Sequence, residues 1–273
     1  LTSMETGRPT KRSLRDVLRE RFAEITAMDR AIGKLRDHLR TKGVRDNTLV
    51  WYCGDNGSPS SSGRVATPFR GEKGQVYEGG IRVPGIIEWP ARIPAARETS
   101  FNSVTSDILP TVCELANVEP PSRPIDVVSL VPMIDEGKND RGSPICFWNF
   151  ASGRVSGKDA KAKPYVDPEL QVGTTPLVKY MGTKLTRDFR NFHYPPIVDS
   201  DYRGSRAIVA DRYKLVVTEQ GRSAAKLELF DIDRDPSETN DLSKELPSVA
   251  ENLSVQLKTW QASVLESLRE ADY

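Results

Sequence analysis

The chain has 273 residues, 37% hydrophobic and 28% charged, a length that fits one large domain or a core with a small second unit. A net charge of +1 singles out no polyanionic partner, and no apolar run approaches the roughly eighteen residues of a membrane-spanning helix, so neither nucleic-acid binding nor a membrane span is expected. Cys53, Cys113 and Cys146 have no C-x-x-C spacing and each sits in an apolar segment, which argues for packing and against a disulfide framework.

The first element is a helix from Ser13 to about Lys42. Leu14, Leu18, Phe22, Ile25, Met28, Ile32, Leu35 and Leu39 recur at the three-four spacing of one helical face. Ser13 caps its start with Asp16 three residues on, and Gly43 suits the left-handed stop. The first 45 residues hold twelve Lys/Arg against six Asp/Glu, most of them on the outer side of this helix, which reads as a solvated face. Asp46-Asn47 turns into Leu49–Cys53, an apolar run that predicts a buried strand of a layered α/β domain. A polar Ser/Gly loop follows from Ser58 to Thr67. A second strand is predicted within Val83–Trp89, limited by Pro84 and Pro90. A short helix is expected over Ser106–Ala116, with Asp107 and Pro110 in its first turn. Val118–Pro124 is a proline-rich connector, and Ile145–Phe150 is a further strand.

From Ala151 to Asp201 periodicity is weak, and the stretch predicts a loop-rich insertion able to rim a site. Three segments then predict an antiparallel meander: Ala207–Val209, Tyr213–Thr218 and Leu227–Asp231. A closing helix runs from Pro247 to about Leu268, with Val249, Leu253, Leu257, Trp260, Val264 and Leu268 on one side. The organisation expected is an α/β core over 1–150, an insertion over 151–205, and a small antiparallel-sheet subdomain with its helix over 206–273.

Chemistry concentrates just after the first strand. Asp55-Asn56-Gly57 stands at its carboxyl end, where open α/β sheets hold ligands, and an acid beside an amide there suggests a site for a hard cation. The same tripeptide is also a strong turn sequence, so an Asx-type turn is the alternative. Lys73 returns eighteen residues after Asp55, inside Arg70-Gly71-Glu72-Lys73-Gly74, a loop whose glycines let backbone approach an anion. Tyr77-Glu78-Gly79-Gly80-Ile81-Arg82-Val83-Pro84 follows directly.

This series resembles the sulfatase family, the sulfate-ester hydrolases of the alkaline-phosphatase superfamily. Trp89-Pro90, Asp107-Ile108-Leu109-Pro110-Thr111, Tyr213-Lys214-Leu215 and Leu229-Phe230-Asp231 leading to Asp235-Pro236-Ser237-Glu238 continue the family's order. The resemblance implies an alkaline-phosphatase-like α/β/α sandwich, incomplete at its N-terminal side. It also implies a sulfated small molecule or carbohydrate as substrate. By the same resemblance Asp55 and Asn56 are ligands of one divalent cation, Ca2+ rather than Mg2+ or Mn2+, and Lys73 contacts the sulfate. Glu78 and Arg82 are implied to support the site from behind. Phosphoesterase relatives tend to carry histidine at the Asn56 position, so the oxygen donor favours sulfate.

The family's nucleophile is a formylglycine made in a C/S-x-P-x-R motif, and none of the three cysteines begins one. Glu119-Pro120-Pro121-Ser122-Arg123 ends correctly but offers a carboxylate, which cannot become the aldehyde. The resemblance implies that the nucleophile, a paired Asp-Asp, a lysine and two histidines precede the opening helix, so the chain corresponds to a carboxyl-terminal portion and is expected to be inactive alone. His38 reads as a helix-surface residue and His193 as a candidate for the substrate rim. Two alternatives stay open: a non-catalytic remnant that only binds or scaffolds, and a phosphoesterase relative.

Overall fold

The computed structural model of the chain describes residues 2–3, 8–9, 13–58, 67–150, 196–219 and 225–267. It divides into two compact units, Leu1–Asn149 with Ser205–Leu257, and Phe150–Gly204 with Lys258–Tyr273. The expected insertion lies outside the described residues as far as position 195, and His193 with it.

In the first unit a two-residue ladder pairs β1 (Thr2–Ser3) with β2 (Arg8–Pro9). The opening helix α1 then runs Leu14–Thr41. The Ser13 hydroxyl oxygen accepts from the Asp16 N–H at 3.2 Å, and Gly43 takes the left-handed conformation at φ +69°, as the sequence predicts. The burial of the helix differs from expectation. Phe22 and Ile25 are 63% and 53% exposed and Met28 and Leu35 are exposed as well, while Leu18, Ile32 and Leu39 are half-buried. The apolar stripe is therefore real, but among the described residues little covers it.

The strand after the helix, β3 (Val50–Cys53), is half-buried throughout, where a buried strand is expected. It has one described partner, β4 (Gly85–Glu88), in antiparallel register with Val50 opposite Glu88 and Cys53 opposite Gly85. A run apolar on both faces predicts cover on both, and the described elements supply it only in part. α1 meets this ladder through charge. Arg36 donates to Glu88 at 2.6 Å, and Arg45 reaches the same carboxylate at 3.0 Å. Pro84, which cannot donate to a ladder, holds the start of β4 back to Gly85.

Between the two strands lies the four-residue helix α2 (Glu78–Ile81). The next predicted helix appears as α3 (Ile108–Ala116), entered by a 3-10 turn at Thr105–Asp107 and closed by Asn117 at φ +53°. Asp107 is fully buried. Its carboxylate accepts from the backbone N–H of Val104 and Val128 at 2.9 and 3.1 Å and from both terminal nitrogens of Arg141 at 2.5 and 2.8 Å. A further short helix, α4 (Val131–Glu136), ends at a left-handed Gly137 and was not foreseen, because six residues carry too little periodicity.

β5 (Ile145–Trp148), β6 (Arg206–Ala210), β7 (Tyr213–Thr218) and β8 (Lys226–Asp231) form one antiparallel sheet in chain order. The predicted meander thus gains a fourth strand from before the insertion. Registers Ile145–Val209–Lys214–Phe230 and Phe147–Ala207–Val216–Glu228 fix what shares each face, since directly opposed residues point the same way. Val76 from the glycine loop completes a core with Ile145, Ala207, Val209, Val216, Phe230 and Ile232. The opposite face carries Ile208, Leu215 and Leu229, all fully buried.

The closing helix α5 spans Pro247–Ser267. Its buried stripe is Ala250, Leu253, Leu257, Gln261 and Leu265, while Val249, Trp260 and Val264 are half-buried flanks. In the second unit a 3-10 turn at Asp199–Tyr202 is tied to this helix by Gln261, whose amide donates to the Tyr202 carbonyl at 3.1 Å.

Breaking a buried ion pair leaves a charge uncompensated, whereas an exposed pair is screened. We therefore expect Asp107→Ala to lose about 3–5 kcal/mol in urea unfolding and Arg36→Ala, whose side chain is 40% exposed, to lose less than about 1 kcal/mol. Equal losses would contradict the assignment.

Candidate active site

The chain leaves β3 at Cys53 and is held to the end of the partner strand by the Gly54 N–H, which donates to the Pro84 carbonyl at 3.1 Å. Asp55 is exposed and Asn56 half-buried. The chain bends at Asp55-Asn56, and the Asn56 amide nitrogen donates to the Gly57 carbonyl at 2.9 Å, a contact with the next residue rather than the side-chain-oxygen acceptance of an Asx-type turn. This bond commits the nitrogen of the amide and not its oxygen.

Gly57 is where the two motifs meet. Its N–H donates to the Gly80 carbonyl at 2.9 Å. A Cβ on Gly57 would lie 1.9 Å from the Gly79 carbonyl oxygen and 2.8 Å from Gly80 Cα, so only glycine fits the approach. One residue further, the Ser58 carbonyl accepts from the Lys73 N–H at 2.8 Å. The Asp-Asn-Gly turn and the lysine loop are thus joined backbone to backbone. The Lys73 side chain is exposed.

The lysine loop is an arch with two anchored feet. At one foot, Arg70 donates to Glu228 at 3.1 Å, and the Tyr77 hydroxyl donates to the same carboxylate at 2.6 Å. Arg70 also lies over the Tyr77 ring at 4.0 Å, a cation–π contact. At the other foot, Lys214 Nζ donates to Glu78 Oε1 at 2.8 Å and lies 2.8 Å from Glu238 Oε1. The second contact is an ion pair rather than an aligned hydrogen bond. Glu238 Oε2 accepts from the Glu78 N–H at 2.7 Å, and Arg82 approaches Glu78 Oε2 at 3.3 Å. The Lys214 and Glu238 side chains are 0% exposed.

Electrostatics follow this burial. Burial, then the bond to Glu228, pushes the Tyr77 hydroxyl up to about 12, so it stays protonated as a donor. Burial pushes the Glu238 carboxyl up, against the pull of Lys214. Burial also opposes ionisation of Glu228, but hydrogen bonds from Lys226, Tyr77 and Arg70 outweigh it and hold that carboxyl below its ordinary value. Asp235 and Asp241 are lowered in the same way, their burial outweighed by N–H donors from Asn240, Thr239 and Leu229 among others. Burial drives the Cys146 thiol up to about 12, which leaves it inert as a nucleophile.

Of the residues the sequence singled out, Asp55, Asn56 and Lys73 lie on two segments joined by backbone hydrogen bonds, and Glu78 and Arg82 pair with each other at the ends of α2. His38 is exposed on α1, as read. Glu119–Arg123 lies in an exposed connector. Among the described residues no three His, Cys, Asp or Glu side chains gather as a metal cluster. The sequence reading missed Lys214, Glu228 and Glu238. Lys214 and Glu228 each stand two residues before an inward-pointing apolar residue, Val216 and Phe230, and that phase marks them as charges facing the core.

Two outcomes are expected. Gly57→Ala places a methyl against backbone and should cost about 1–3 kcal/mol in urea unfolding; a neutral result would mean the turn and the diglycine do not touch. For pH, carboxyls lowered on folding contribute stability that is present above their unfolded values and lost as pH falls through their folded ones. The raised Glu238 has the opposite sign, contributing below its unfolded value and losing that as pH rises through its folded one. Glu228, Asp235 and Asp241 outnumber it, so the urea midpoint should fall on acidification from pH 7 towards pH 3. Glu228→Gln should flatten that slope.

Residues 2–118 match the family model described as Sulfatase. Rat steryl-sulfatase is 35% identical over 119 residues, covering 40% of this chain and 21% of that protein. Dog N-acetylgalactosamine-6-sulfatase is 34% identical over 119 residues, covering 42% of this chain and 23% of that protein. The chain thus spans about a fifth to a quarter of the length of these relatives. In fold, a protein solved with its substrate D-glucosamine-2-N,6-O-disulfate aligns with 91% of this chain and 40% of its own at TM-score 0.58 and 22% identity. The phosphonate monoester hydrolase of Agrobacterium radiobacter aligns with 91% of this chain and 40% of its own at TM-score 0.52 and 20% identity. Over residues 2–118 this chain is thus similar to the sulfatase family, and its fold is the alkaline-phosphatase-like one shared by the solved sulfatases.

Proposed function

We propose that the chain contributes the cation-and-lysine half of a sulfate-ester hydrolase site. The observation that carries this reading is the backbone junction between the Asp55-Asn56-Gly57 turn and the Lys73 loop, inside the segment that matches the family model. Asp55 and Asn56 supply two oxygen donors, one charged and one neutral, a set that suits a hard cation such as Ca2+. Ca2+ takes six to eight oxygens, so these two make a partial fit and the remaining donors come from water, substrate or other parts of the protein. The cation's chemistry, when bound, is to neutralise charge on an ester oxygen.

Lys73 holds its ammonium at the exposed tip of a loop whose backbone is fixed, where it can pair with a sulfate oxygen and offset charge on the leaving ester oxygen. Sulfated small molecules or carbohydrates are the substrate class. The nucleophile, a formylglycine in the family, comes in this reading from sulfatase sequence beyond these 273 residues, which contain no C/S-x-P-x-R motif. The uncovered apolar side of α1 supports a complement of that kind. A phosphoesterase reading has one observation in its favour, the fold likeness to a phosphonate hydrolase; the oxygen donor at Asn56 favours sulfate over it.

Calcium chloride and sodium sulfate titrations of the isolated chain, followed by amide NMR, test this reading. Calcium should shift Asp55 to Gly57 saturably, and sulfate should shift the Lys73 loop. Asp55→Ala should abolish the first response and Lys73→Ala the second, and the chain alone should release no sulfate from an aryl sulfate. Absent or unsaturable shifts contradict the site, and turnover by the pure chain contradicts the external nucleophile.

A further inference from the structure

We propose that Lys214 and Glu238 are positioning residues for this site: through Glu78 they lock the Gly79-Gly80 step to the four-stranded sheet, and so fix where the Asp55 turn and the Lys73 arch meet. Lys214 lies on β7 opposite Val209 and Phe230, on the buried sheet face that also carries Ala207, Val216 and the second buried charge, Glu228. It has no exposure, and its ammonium ends between Glu78 and Glu238 at 2.8 Å from each.

Glu238 arrives from the other side in an unusual backbone state. It sits at φ +54°, a left-handed conformation that costs a non-glycine residue free energy and persists only where its surroundings enforce it. Those surroundings are visible. The Asp235 carboxylate accepts from the Thr239 and Asn240 N–H at 2.7 and 2.8 Å and from the Thr239 hydroxyl at 2.9 Å. The Asp241 carboxylate accepts from the Leu229 N–H at 3.0 Å, which ties the same loop to β8. A tight loop therefore aims one buried carboxylate at the first residue of α2.

The grip passes directly to the site. The N–H of Glu78 is held by Glu238 Oε2, its side chain by Lys214 and Arg82, and its two successors are the glycines against which Gly57 packs. The Gly79 N–H donates to the Arg70 carbonyl at 2.6 Å, which closes the arch around Lys73. Neither Lys214 nor Glu238 touches the exposed tip, so their effect on ligands is indirect. The clamp stands on its own geometry, while its consequence for sulfate and calcium rests on the functional reading above.

Amide hydrogen exchange on the full chain is the test, with sulfate titration beside it. The donors of the junction, Gly57, Lys73, Gly79 and Gly80, report the loop; β5–β6 ladder amides report the sheet. In Lys214→Met, loop exchange should accelerate at least about tenfold relative to the sheet amides, and apparent sulfate affinity at Lys73 should fall by a similar factor. Glu238→Gln keeps the shape and an oxygen for the Glu78 N–H, so it should loosen the loop less than Glu238→Ala. It also serves if Lys214→Met fails to fold. Loop and sheet amides accelerating by the same factor in every variant would overturn the proposal, since that is a purely structural loss. So would an unchanged loop. If the unmodified chain binds neither ion yet its loop responds as described, the clamp stands and the functional reading fails.

Discussion

One buried ammonium between two carboxylates organises the first unit. Lys214 on the sheet, Glu78 at the head of a one-turn helix and Glu238 in a strained loop come from segments far apart in sequence. An isolated charge in such surroundings is prohibitive, so the three segments must arrive together or not at all. That requirement sets the height of the Gly79-Gly80 step above the sheet. The Asp55-Asn56-Gly57 segment and the Arg70 end of the arch are joined to the step by backbone hydrogen bonds.

The division of labour is physical. The groups proposed to meet a ligand, Asp55 and Lys73, are exposed and carried on loops. Groups that hold those turns still are buried, charged and paired. A glycine contact at Gly57 transmits position because backbone atoms in direct contact cannot adjust as a flexible side chain would. Glu228 repeats the device at the other foot of the arch, with Arg70 and Tyr77 as its partners. In the proposed site an exposed lysine would meet an anion without its loop having to order on binding, which lowers the entropic cost of recognition.

Much of this was legible in the sequence. The periodicity of α1 with its Ser13 cap, the strand before Asp55, the strands over Tyr213–Thr218 and Leu227–Asp231, and a change of chain direction at Asp55-Asn56 all follow from local rules that the fold obeys. What escaped was non-local. The cover expected over β3 and over Phe22, Ile25 and Leu35 depends on neighbours that periodicity cannot specify. The stripe on α5 is centred on Ala250 and Gln261 rather than on Val249 and Trp260, because small or amide side chains can occupy a tight interface that larger ones flank. Lys214 and Glu238 were read as parts of a familiar order and not as a pair, since no spacing rule joins a strand lysine to a glutamate in a later loop.

The central claim is that the turn after β3 and the arch bearing Lys73 form one anion-and-cation site held from below by the ion cluster. A crystal structure of the chain grown with calcium and sulfate tests it most directly. The account predicts sulfate against Lys73 Nζ and calcium on the oxygens of Asp55 and Asn56, with the Gly57–Gly80 hydrogen bond retained. Sulfate and calcium bound elsewhere, or Lys73 turned away from an anion at the turn, would contradict it.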